Sequence, residues 1–437
     1  MVSLPDDSSF EETFERFRRA PDEVNDARDV TEQFLLLACL RYGLDDTANR
    51  WEQANQLLAD DPSISRSGVH AAAATADEAA LAELLAADPG GARRPGGPYG
   101  WEPLLYLAYA RHDPAVSEAA TLGSARLLLA HGADPNAGYL WHGMIPPFTA
   151  LTGALGRGEG DQPQHPHGLA LARLLLEAGA DPNDGQALYN RQFGADNGHL
   201  LLLFEYGLGQ GDGGPWRARL GHRMDIPEAM VRTQLWWAIV HDMRDRVELL
   251  ADHGVDIHTP FVAPGGRPSW ARTCDRRTPA ELAALNGCPE LVEWLVGRGA
   301  ARPSGDGVDG LIAAALNDDR VAVHRLDAHL EEARAQRPAL IVWAGARGKT
   351  DAVALLAELG FDVNARGRGD VPMEQPWETA LHQAASSGDV DLATRLLTLG
   401  ANPNLKDARF DATPLGWARH FGQQAMVDLL EPLTSTG

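Results

Sequence analysis

The feature that most constrains this chain is a short phrase, Gly-Ala-Asp/Asn-Pro-Asn, that it writes more than once. It stands at Gly132-Ala133-Asp134-Pro135-Asn136, at Gly179-Ala180-Asp181-Pro182-Asn183 and at Gly400-Ala401-Asn402-Pro403-Asn404. Looser copies begin at Gly254, Gly299 and Gly360. Each follows a leucine-rich stretch such as Ala125 to His131 or Leu171 to Ala178. A glycine in that place ends a helix in the left-handed conformation, with no Cβ to resist it. The Asp or Asn beyond it turns the backbone by side-chain hydrogen bonding. A chain that repeats its helix stop builds one supersecondary unit many times, and such units bury their apolar faces only against each other.

A second phrase opens the next helix: Thr278-Pro279-Ala280-Glu281-Leu282-Ala283, Thr379-Ala380-Leu381-His382-Gln383-Ala384-Ala385 and Thr413-Pro414-Leu415-Gly416-Trp417-Ala418. A degenerate copy runs from Glu102 to Ala108. Threonine caps a helix N-terminus, and proline at the first helical position lacks only an N–H that has no partner there anyway. Together the two phrases resemble the ankyrin repeat. Its pattern is a Thr-Pro-Leu-His-x-Ala helix, a Gly-containing turn, a Leu-Leu helix, Gly-Ala-Asp-x-Asn and a projecting loop. Positions 376–409 carry it most fully, and Asp407 to Leu430 reads as a shortened final unit. The resemblance implies an all-α ankyrin-repeat solenoid of about ten helix-turn-helix units, with an extended concave surface.

The spacing departs from the family's ~33 residues. Gly132 and Gly179 stand 47 apart, Gly254 and Gly299 stand 45 apart, and Gly360 and Gly400 stand 40 apart. The extra length is expected in long inter-repeat loops, because loops tolerate insertion better than packed helices. The units are placed at 30–64, 65–95, 98–138, 143–184, 185–214, 226–263, 275–304, 306–336, 337–370, 376–406 and 407–433, the last a half-unit cap. Residues 30–433 thus form one continuous array, loop-rich near 139–168 and 205–225, followed by a tail at 434–437. Residues 1–29 read as an acidic lead with a capping helix. Ser8 or Ser9 starts it, Phe10, Phe14 and Phe17 share one face, and Pro21 stops it. At the other end Trp417, Phe421, Met426 and Leu430 are expected to close the core.

Composition then removes whole classes of function. Among 437 residues, 38 Lys+Arg face 61 Asp+Glu, a formal charge of −23 that disfavours a partner held by phosphate contacts, so no nucleic acid is expected. The longest apolar run, Phe34 to Leu40, is far short of the ~20 residues of a membrane span, so no membrane partner is expected either. The first thirty residues are polar and acidic and carry no export signal. Three cysteines cannot make a disulfide framework, which fits a reducing, cytoplasmic setting. Only Lys349 and Lys406 are lysines, against a large excess of arginine, a codon skew of GC-rich bacterial genomes.

Catalytic signatures are missing. Gly345 to Thr350 lacks the glycine spacing of a phosphate loop and falls in an inter-helix turn. Cys274 and Cys288 have no histidine pair at zinc spacing, so no metal and no cofactor are expected. His142, beside Trp141 and Met144 on a long loop, is the best single acid/base candidate, but no carboxylate can be placed against it.

The loops between units carry aromatic residues and arginine instead. They are Tyr99 and Trp101; Tyr139, Trp141 and His142; Trp216; Phe261, Arg267 and Trp270; and Arg368 with Trp377. On the first helices, Tyr106, Tyr109, Arg111, Tyr189, Arg191, Trp236, Trp237 and His241 can line the groove. Trp, Tyr and Arg combine large apolar area with a polar handle and dominate binding hot spots. The expectation is a monomeric, non-catalytic protein that recognises another protein through these residues, Trp237 included. Three rival readings remain open. The aromatics can fold back to cover their own loops. The loops 139–168 and 205–225 can close a small-molecule or enzymatic pocket over the groove. The acidic surface can act as a decoy for basic proteins.

Overall fold

The computed structural model describes residues 27–43, 45–160, 162–262, 276–372 and 374–435. The proposed capping helix at Phe10 to Phe17, together with Arg267, Trp270 and Cys274, lies outside them. Among the described residues there are 24 α-helices and one two-stranded hairpin, so the class is all-α. Contacts gather into two compact units, Met1–Gln234 and Leu235–Gly437.

In the first unit the helices come in pairs: α1 (Val30–Ala38) and α2 (Ala48–Asp60), α3 (Val69–Ala74) and α4 (Glu78–Ala87), and α5 (Pro103–Tyr109) and α6 (Glu118–Ala130). Next come α7 (Ala150–Leu155) and α8 (Gly168–Glu177), then α9 (Gly185–Gln192) and α10 (Gly198–Glu205). The first helices stack in the order α1, α3, α5, α7, α9, and the second helices in the order α4, α6, α8, α10. α11 (Gly214–Leu220) is an addition within the 205–225 loop, and α12 (Pro227–Val240) crosses the boundary between the two units.

The second unit continues with α13 (Arg244–Asp252), α14 (Pro279–Leu285) and α15 (Pro289–Gly297), then α16 (Gly307–Leu316), α17 (Arg320–Arg325) and α18 (Leu330–Gln336). It ends with α19 (Leu340–Ala346) and α20 (Thr350–Glu358), α21 (Ala380–Ser387) and α22 (Val390–Thr398), and α23 (Pro414–His420) and α24 (Gln424–Leu430). Here α19, α21 and α23 stack on one another, as do α20, α22 and α24. Residues 407–433 hold a full helix pair.

Local chemistry explains the punctuation. Gly132, Gly179, Gly254, Gly299, Gly360 and Gly400 all have φ between +82° and +98°, where a side chain is strained. Thr278 and Glu281 cap α14 reciprocally: Thr278 N donates to Glu281 Oε2 at 2.8 Å, and Glu281 N donates to Thr278 Oγ1 at 3.2 Å. At α23, Gly416 N donates to Thr413 Oγ1 at 3.3 Å. Small first-helix residues such as Ala71, Ala72, Ala73, Ala380 and Ala384 are buried and let neighbouring helices approach closely.

The final Asn of the repeated phrase has a role that its turn propensity does not predict. Asn136 Nδ2 donates to Gly179 O at 3.0 Å, and its Oδ1 accepts from Asp181 N at 2.8 Å. Asn183 does the same to Gln210 O and Gly209 N, at 3.0 and 2.8 Å. Asn364 does it to Gly400 O and Asn402 N, at 3.2 and 2.8 Å. Each amide is therefore a rung between its own turn and the next one.

Beyond the turns, hairpin loops project. β1 (Gly138–Tyr139) pairs antiparallel with β2 (Phe148–Thr149), and single bridges join Gly96 to Trp101 and Gly367 to Glu378. These loops carry most of the residues singled out in the sequence.

Candidate interaction surface

In the first unit the loop aromatics form a stacked layer. Tyr99 stacks on Trp101 at 4.4 Å, Trp101 on Tyr139 at 4.7 Å, and Tyr139 on Phe148 at 5.6 Å, with ring planes 25–28° apart. Tyr42 and Trp141 meet Phe148 at 5.0 and 6.2 Å. Polar handles point inward: Tyr99 Oη donates to Leu36 O at 2.9 Å, and Trp141 Nε1 donates to Arg41 O at 3.0 Å. Trp101 is only 6% exposed. The segment around Arg41 and Tyr42 thus lies against the hairpin, and Tyr42 Oη accepts from Asn190 Nδ2 on α9 at 2.8 Å. The sequence allows two readings of these rings, an open binding edge or cover for their own loops. Here they cover one another, because each loop is long enough to lay its aromatic on the next.

Trp216, on α11, closes the far side of this layer. Its Nε1 donates to Asn136 O at 2.9 Å, and the Arg219 guanidinium lies 5.1 Å over its ring. The 205–225 segment is therefore an insertion that docks on the hairpin region. His142 is exposed, has φ +48°, and sits edge-on to Trp141 at 4.5 Å.

The expected groove-lining residues are mostly interior. Tyr106, Tyr109, Arg111 and Arg191 are buried. Arg111 donates to four backbone carbonyls, those of Ala108, Ala110, Gly153 and Pro163, which makes it a staple between units. Tyr189 remains on the surface, its hydroxyl bonded to Glu159. Trp236 and Trp237 are both buried. Trp237 lies flat on His241 at 3.9 Å, with ring planes 20° apart. Phe261 is buried too, its backbone paired with Arg276 and Arg277.

Two crevices flank the first unit. One, of about 260 Å³ and open to solvent, is lined by His112, Thr121 and His165; the other, of about 350 Å³, by Asp181, Asn183 and Trp216. Neither includes His142. Burial pushes His112 down to about 4, and burial with the Arg111 charge holds His165 well below the ordinary imidazole range. Burial likewise pushes the Cys39 and Cys288 thiols up to about 12, so both stay protonated. Among the described residues no group of three His, Cys, Asp or Glu is placed to hold a metal ion, and no helix is long and apolar enough to cross a membrane.

Toward its C-terminal end the second unit leaves Trp377, Phe410 and Phe421 at least partly exposed. Trp377 is half-buried between two arginines: the Arg368 guanidinium lies 3.8 Å over its ring, and that of Arg409, from the next loop, lies 4.7 Å over it. Phe410 and Phe421 are 61% and 52% exposed, and both touch Trp417, at 6.4 and 6.1 Å. Phe421 was expected to close the core and does not. Behind Trp377, Glu378 is buried and accepts from Gly369 N and Gln383 Nε2, each at 2.8 Å. Burial is the chief cause that lifts its carboxyl to about 7; Asp370 adds to the lift and Arg368 opposes it. Arg409 and Phe410 were not singled out from sequence, although Arg-Phe two residues past Asp407 was a visible signal.

Paired helices with capped starts, left-handed glycine stops, amide rungs and projecting hairpins define a helical-repeat protein. Residues 311–407 match the family model described as ankyrin repeats (3 copies), which supports an ankyrin-repeat protein. Such repeats generally serve protein interaction, which supports a repeat-mediated binding role here.

Proposed function

We propose that the chain is an ankyrin array of about ten units, a monomeric cytoplasmic protein that recognises another protein without catalysis or cofactor. The contact surface in this reading is the loop edge of the second unit, centred on Arg368, Trp377, Arg409, Phe410 and Phe421. One observation carries it: a tryptophan has two guanidinium groups over its ring, and one of them also lies over the largely exposed Phe410. Contiguous exposed aromatics in water mark interaction sites, and Trp and Arg are the commonest anchors there. The first unit's aromatics, already stacked on one another, serve in this reading as scaffold of their own unit.

The test is affinity capture from a lysate of the source cells with the wild type and a Trp377→Ala, Phe410→Ser double variant. The expected result is a protein retained by the wild type and lost from the variant, with unchanged circular dichroism. Equal capture by both baits sinks this surface assignment.

A further inference from the structure

The same loop edge narrows the chemistry of its partner, a step that rests on the recognition role proposed above. The Arg409 guanidinium lies over two rings, Trp377 at 4.7 Å and Phe410 at 5.1 Å. A cation–π contact draws on the charge of a guanidinium, and its N–H groups remain donors that can grip a carboxylate with two parallel bonds. Among the described residues, the neighbouring carboxylates are already engaged. Asp370 pairs with Arg368, and Asp411 with Lys406 at 2.7 Å. Asp407 accepts from the backbone N–H groups of Arg409, Phe410 and Ala412 and from Trp417 Nε1. Arg409 thus has its charge uncompensated by any of them, in a chain whose acids far outnumber its bases.

We propose that this edge binds a short segment of another protein carrying a carboxylate beside an aromatic or large aliphatic side chain. The carboxylate takes the Arg409 N–H edge, and the apolar group covers Phe410 and Phe421. The segment is short because the net charge of −23 repels an acidic domain, whereas salt screens that repulsion beyond ~8 Å at physiological strength.

The experiment is fluorescence anisotropy on the full chain with a labelled ten-residue peptide containing three glutamates and two phenylalanines. A glutamine-for-glutamate twin and a serine-for-phenylalanine twin serve as probes of each half. The parent is expected to bind about tenfold tighter than either twin. Arg409→Gln should weaken the parent to the level of the glutamine twin and leave that twin unchanged, and Phe410→Ser should do the same toward the serine twin. Equal binding of parent and glutamine twin, or a parent indifferent to Arg409→Gln, overturns the proposal. So does concentration-dependent self-association that Phe410→Ser abolishes, which assigns the edge to a second copy of this chain. If lysate capture depends on Trp377 and Phe410 while the peptides show no charge preference, recognition stands and only the acidic class falls. If capture does not depend on them, the surface assignment itself falls.

Discussion

Trp101 and Tyr139 come from the loops of successive units, yet their rings stack at 4.7 Å with planes 25° apart. Trp101 also meets Tyr106 and Tyr109, at 5.4 and 5.2 Å, so one side chain joins two loops to the helix beneath them. Replacing it with alanine leaves a void that neighbouring rings cannot fill. The expected loss is about 3–5 kcal/mol, as for other buried aromatic truncations. Trp377→Ala, half-buried at a loop surface, should cost no more than about 1 kcal/mol. Urea denaturation of both variants checks this, and similar losses for the two would contradict the contrast drawn between the units.

The amide rungs predict a second, smaller effect. Asn136→Ala removes two hydrogen bonds to backbone groups of the next turn. At about 1 kcal/mol for each neutral bond, the variant should lose roughly 2 kcal/mol. Asn364→Ala in the second unit should lose a comparable amount, and a change below a few tenths would show that the rungs are incidental.

Glu378 makes stability fall as pH rises. Its folded carboxyl titrates near 7, above the ordinary value of 4.5. Between those values the folded chain holds a proton that the unfolded chain has released, so stability declines through that window and levels off above it. Glu378→Gln keeps an oxygen to accept from Gly369 and Gln383 and removes the buried charge. The variant should be more stable than wild type at pH 8, by roughly 1–3 kcal/mol, with the difference vanishing below pH 4.5. Thermal melts across that range decide it.

His112 and His165 act in the opposite sense. Both are neutral in the folded state and titrate below the ordinary 6.5. Below pH 6.5 the unfolded chain takes up protons that the folded chain refuses, so the first unit weakens as pH falls toward 4. His112→Leu should flatten that dependence by up to ~1.4 kcal/mol per pH unit. A melting curve that responds to acid equally in wild type and variant would exclude this source.

The punctuation of this fold was legible because it is local. A glycine with positive φ and a threonine cap act within four or five residues, so the phrases at Gly179 and Thr278 state their structure directly. The exposure of an aromatic is not local. Trp101 and Trp377 occupy similar Gly/Pro-bracketed loops, and what separates them lies in the next unit, where Tyr139 covers one and Arg409 frames the other. Trp237 carried the same ambiguity, because a helix doublet reveals nothing about the histidine one turn on that shares its burial. Arg409 and Phe410 lie in the loop before a complete helix pair, α23 and α24, where the sequence suggests only a shortened unit.

Across each joint the asparagine amides bond to main-chain atoms, to a carbonyl and an N–H of the next turn. A unit bearing such a turn is therefore interchangeable at its joints. It can be copied, lost or lengthened in its loop without a matching change in the side chains of the unit beside it. The uneven intervals of 40 to 47 residues between like phrases are what a genome is free to write when the joints do not read sequence.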